Sequence, residues 1–129
     1  MALTNARMKA MVDTELANAS FHNYIAYSTN GTSENADCPR QAATWSTPTA
    51  ADPYEPANTA DITCSPTHAT STLTITHWAT AAGGTNGTAD LNTIWMPVTD
   101  PDPIVTVGGS FTAAAGALKP VKADRITTP

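Results

Sequence analysis

Charge is scarce in this chain. Asp, Glu, Lys and Arg make up 13% of its 129 residues, about half the usual share, and only six of them are basic. Six scattered cations against eleven acidic residues, a net charge of −5, exclude the clustered positive surface that phosphate neutralisation requires. Nucleic acid is therefore not an expected partner. Apolar runs are also short. None approaches the ~18 residues of a membrane-crossing helix, so no membrane span is expected. The opening residues 1–7 lack a charged segment followed by an apolar one, which is the pattern of a chain made in the cytoplasm without a secretory leader. Cysteine occurs twice, at Cys38 and Cys64. One disulfide is compatible with that count, but a chain made in a reducing cytoplasm usually keeps its thiols free.

Threonine fills the gap left by charge, occurring 23 times. It is stiff at χ1 and suits a pleated, half-exposed surface, so Thr-rich strands with polar outer faces are expected. One helix is predicted, over residues 4–19, capped by Thr4, with Met8, Met11, Val12, Leu16 and Ala19 on one face and Lys9 and Asp13 on another. That stripe is too narrow for an independent core. The helix is expected to lie as a lid or arm on the β-domain or on a neighbouring subunit, its methionines suiting an adaptable contact.

Strands are predicted at 21–28, 40–46, 59–64, 71–80, 91–96, 104–107 and 111–118. In the fourth, Leu73, Ile75 and His77 share one face, with Trp78 on the other. Residues 29–39 read as a wholly exposed loop, 47–58 as a proline-broken surface connection, 83–87 as a hairpin and 97–103 as a proline-rich break. Trp45, Ile75, Trp95, Val105, Val107 and Phe111 are the expected core. The fold class is mainly β, a jelly-roll-like β-sandwich with one N-terminal helix, divided as arm 1–20, β-domain 21–118 and tail 119–129.

Catalytic and metal signatures are weak. Cys38, Cys64, His68 and His77 include only one close pair of the kind structural zinc sites use. No Gly-x-Ser-x-Gly elbow occurs. Asp100 and Asp102 flank a proline in a turn, and Glu34 with Asp37 or Asp52 with Glu55 lack the alternating oxygen spacing of a calcium loop. The glycine pairs 83–84 and 108–109 precede no helix that could cradle a phosphate. No enzyme activity, cofactor or metal is expected. Trp45, Trp78 and Trp95 carry two readings, as core fillers or as exposed platforms that stack on sugars.

A series of short motifs runs along most of the chain: Met1 to Asn5; Ile25-Ala26-Tyr27 leading to Gly31 and Glu34; Arg40-Gln41-Ala42 with Trp45 downstream; Thr76-His77-Trp78-Ala79 with Ala82-Gly83-Gly84; and Val107-Gly108, Phe111 and Ala115-Gly116-Ala117-Leu118. In this order they resemble small virion proteins of tailed actinobacteriophages, of the tail fibre or minor structural type and sometimes capsid decoration. The chain departs from that pattern at Cys38-Pro39 and in the proline-rich stretch after Trp45. The resemblance implies a non-enzymatic component of the virion, assembled in the host cytoplasm. Its partners would be major capsid or tail proteins and further copies of itself. The residues expected to make those contacts are Met8, Met11, Val12 and Leu16 on the helix, and Lys119, Lys122 and Arg125, a basic tail on an acidic protein that charge complementarity would steer. The alternative is a carbohydrate-binding adhesion module for the host surface.

Overall fold

The computed structural model describes residues 3–18, 20–66, 73–104 and 109–120. Within them the chain is mainly sheet with one helix. The helix α1 (Asn5–Ala17) starts where Thr4 Oγ1 accepts the Arg7 N–H at 3.1 Å, satisfying one of the amide groups a helix N-terminus leaves open. Met8, Val12 and Leu16, four apart, form its buried face.

Six strands follow: β1 (Tyr24–Ser28), β2 (Gln41–Ala42), β3 (Ile62–Cys64), β4 (Leu73–Ala81), β5 (Met96–Ile104) and β6 (Phe111–Ala113). They make two antiparallel sheets, an open one in the order β2-β1-β4-β5 and a pair β3-β6. One apolar cluster draws on both. Ile25 and Tyr27 of β1 and Ile75 and Trp78 of β4 meet Ile62 and Cys64 of β3 and Phe111 and Ala113 of β6. The Tyr27 and Phe111 rings meet edge to face at 5.8 Å between centroids, a favoured aromatic geometry. A smaller cluster joins Met8, Val12 and Leu16 to Tyr54, and Trp45 packs against both clusters. Trp45 thus links the helix cluster to the core of the sheets.

Several expectations are corrected. Residues 97–103 are not a break but most of β5. That strand is an edge, and prolines are tolerated there because a missing N–H faces no partner. Residues 91–95 form no strand beyond a single bridge, Ala81 to Leu91. Strict alternation fails on β4, because the ladder to β5 slips between Ile75 and His77. The extra residues at that shift lie on β5, which takes five steps from Asp102 to Pro97 against two on β4, and Ile75 and Trp78 both join the one apolar cluster. Residues 47–58 are not all surface, since Tyr54 and Pro56 are fully buried, Tyr54 against the helix. Nor is the loop 29–39 wholly exposed: Cys38 has no accessible surface. Of the expected core, Ile75 and Phe111 are buried, Trp45 and Trp95 are half-buried, and Val105 and Val107 lie outside the described residues.

Gly31 is required for two reasons. Its φ is +76°, and a Cβ there would stand 2.8 Å from the His77 ring, so any side chain would be both strained and obstructed. His77, half-buried, bonds to the neighbouring Thr76 hydroxyl at 2.8 Å. Together they close the end of the β1–β4 ladder.

Candidate functional site

The helix stripe is already occupied by its own domain. Met8, Val12 and Leu16 are 3%, 9% and 5% exposed and pack on Tyr54 and Trp45. Polar bonds reinforce the seat. The Tyr54 hydroxyl donates to Asp13 Oδ1 at 2.6 Å, Lys9 Nζ donates to Asp13 Oδ2 at 2.7 Å and to Tyr54 Oη at 3.1 Å, and His22 bridges Glu15 Oε1 at 3.0 Å and Thr80 Oγ1 at 2.6 Å. Partial burial acts to raise the Asp13 pKa, but the hydrogen bonds from Lys9 and Tyr54 outweigh it and hold the carboxyl below its usual value. Among the four helix residues named from the sequence, Met11 alone points outward, at 50% exposure. Lys119 is exposed and stands 3.5 Å from Glu55. Lys122 and Arg125 lie outside the described residues.

Where α1 meets the segment after β2, a cleft of about 230 Å³ opens. Its floor is the half-buried Trp45, whose indole N–H donates to the His22 carbonyl at 2.8 Å, and Asp13, Asn23, Thr44, Ser46 and Thr47 contribute polar rims. An aromatic floor with polar rims is the usual chemistry of a sugar subsite, though the volume is below that of most small-molecule pockets.

Just before β2, Arg40 organises the loops. Its side chain is fully buried, and all five of its N–H groups are used. Nε and Nη2 grip the two Glu34 oxygens at 2.9 Å each, Nη1 donates to Asp90 Oδ1 at 2.7 Å and to the Gly83 carbonyl at 2.8 Å, and Nη2 also donates to the Thr88 carbonyl at 3.1 Å. The two-pronged grip on Glu34 is the geometry that distinguishes arginine from lysine. Asn86 clamps the same loops, accepting from the Arg40 N–H and donating to the Cys38 carbonyl. Partial burial pushes the Asp90 carboxyl up, but the bonds from Arg40, Thr88 and the Gly83 N–H prevail and hold it down. The hydrogen bonds of Arg40 thus join the loop after β1 to the connection between β4 and β5.

No family model, curated protein or solved structure matches this chain.

The surface feature missed in the sequence is Ile94. It is 81% exposed, with Leu91 three residues earlier 36% exposed, on the connection between β4 and β5. This connection is held in place: Asn92 Nδ2 donates to the Phe21 carbonyl at 2.6 Å, the Asn92 N–H bonds to the Thr80 carbonyl, and Thr93 Oγ1 accepts the Thr80 N–H. Read as a returning strand, Leu91 to Met96 conceals an outward isoleucine, since alternation alone assigns it a partner. Among the described residues no three His, Cys, Asp or Glu side chains gather in a metal-binding group, and His68 lies outside them.

Proposed function

We propose that this protein is a non-enzymatic structural protein of a bacteriophage virion, carried on the particle exterior as capsid decoration (minor capsid) or as a tail component. Its partners are the major capsid or tail proteins and further copies of itself. The observation that carries the docking role is Ile94, an almost fully exposed branched apolar residue on a connection fixed by hydrogen bonds, which is what a preorganised contact needs. The ordered motifs of the sequence supply the phage setting. Two sheets that share one apolar cluster support a β-sandwich, and non-sequential neighbours such as β1 with β4 and β3 with β6 support the jelly-roll-like form of it. Scarce charge suits a subunit whose attachment accumulates over many copies.

Quantitative mass spectrometry of purified particles tests this. A copy number on the order of hundreds indicates the capsid and a handful indicates the tail, as the symmetry of each demands. Absence from the particle overturns the proposal. Ile94→Asp should leave the isolated protein folded and reduce its occupancy. Removing residues 121–129, after the buried Pro120, takes away Lys122 and Arg125; it should weaken attachment at low salt, with the difference shrinking as salt screens it.

The Trp45 cleft favours a second reading, a carbohydrate-binding adhesion module for the host cell surface. Host cell-wall glycans should then shift the tryptophan fluorescence, and Trp45→Ala should abolish the shift. No shift at millimolar glycan removes this reading.

A further inference from the structure

We propose that Cys38 and Cys64 are a latent disulfide pair, left as thiols in a reducing medium and joined by exchange with a small-molecule disulfide once the chain leaves it. The two residues come from different sheets. Cys38 lies on the loop after β1, tied back to that strand through Asn35, whose N–H bonds to the Tyr27 carbonyl at 2.9 Å, and to the β4–β5 connection through Asn86, which donates to the Cys38 carbonyl at 2.6 Å. Cys64 ends β3, directly opposite Phe111 of β6. Both are free, both have no accessible surface, and both belong to the same apolar cluster. Their side chains are in hydrogen-bond contact. A bond here would join the two-stranded sheet to the loops of the four-stranded one, across a core otherwise held by packing.

The chemistry is ordinary exchange. That hydrogen bond first, and burial second, push the Cys38 thiol up, while the same bond draws Cys64 down against the opposing effect of burial. Exchange starts when local opening exposes one of the two sulfurs; with Cys64 first, it ionises and attacks. Its thiolate displaces one glutathione thiolate from oxidised glutathione and forms a mixed disulfide. The Cys38 thiolate then attacks the Cys64 sulfur, the protein S–S bond forms and a second glutathione leaves. The two protons lost by the protein end on the two glutathiones, and two electrons pass with them. Because neither sulfur is exposed, exchange needs local opening or an unfolded chain, so oxidation should be about tenfold or more faster during refolding than in the native protein.

The test uses the full chain and needs no substitution. Protein is equilibrated across a series of glutathione ratios, in buffer and in denaturant, then denatured, alkylated and weighed intact. The expected product is a monomer lacking two hydrogens and taking no alkyl groups. The folded protein should retain its bond against at least tenfold more reduced glutathione than the denatured chain, as preorganised thiols do. Cys38→Ser should give only a glutathione adduct, and only after unfolding. The proposal is overturned if the folded protein remains doubly alkylated under fully oxidising conditions, carries stable glutathione adducts or forms linked dimers. It is also overturned if the bond is no harder to reduce in the folded state than in denaturant.

Discussion

Replacing Arg40 with alanine should be among the most damaging single changes in this protein. The guanidinium is buried and donates five hydrogen bonds, two to Glu34, one to Asp90 and two to backbone carbonyls. The substitution leaves Glu34, whose side chain is only 9% exposed, as an uncompensated carboxylate. Asp90, 30% exposed, can turn partly to water. Breaking a buried pair from one side costs about 3–5 kcal/mol, a large share of the roughly 5–15 kcal/mol that stabilises a domain. For a chain of this length that corresponds to a fall of roughly 10–20 °C in Tm. Thermal and urea unfolding followed by circular dichroism would read it. Arg40→Lys should fall between, because an ammonium keeps the charge but cannot make the two-pronged grip on Glu34 while reaching Asp90 and both carbonyls. A loss under about 1 kcal/mol for Arg40→Ala would refute the reasoning, since it would mean that water reaches Glu34 and the network is a surface feature.

Phe111→Ala should cost about 3–5 kcal/mol, because it empties a site shared by both sheets and removes the edge-to-face contact with Tyr27; denaturant midpoints measure it, and a loss below about 1 kcal/mol would contradict the pairing of β6 with β3. Tyr54→Phe deletes the hydroxyl between Lys9 and Asp13 while keeping the ring under α1, so about 1 kcal/mol should be lost, with hydrogen exchange in α1 rising more than in β4. Acid should weaken the fold through Asp13 and Asp90. Both are held below their unfolded value of 3.8, so their contribution is complete above that value and disappears as pH falls through their folded values. Unfolding midpoints should therefore hold steady from neutral pH down to about 5 and drop below about 4, and Asp90→Asn should flatten part of that drop.

What the sequence alone determined is what short-range chemistry controls. Thr4 caps α1 because its partner amide is three residues away. Met8, Val12 and Leu16 share a face because helical periodicity sets it, and Lys9 meets Asp13 one turn on. Strands read over 21–28, 59–64 and 71–80 contain β1, β3 and all but the last residue of β4, legible from local alternation, as was the burial of Ile75 and Phe111. What only the tertiary structure decided depends on residues far apart in the chain. Tyr54 is the partner of the helix stripe from 45 positions away from Lys9, and a proline-rich context concealed it. Arg40 looked like the start of a strand, but its burial depends on acceptors from Glu34, Gly83, Thr88 and Asp90. Prolines 97, 101 and 103 forbid a central strand yet permit an edge, and strand order is not written locally. Ile75 and Trp78 share one cluster although strict alternation assigns them opposite faces, beside a register shift whose extra residues lie on β5. Local propensity names the elements, whereas the choice of which polar group is buried, and which apolar one is left outside like Ile94, follows from contacts that exist only after the chain has closed.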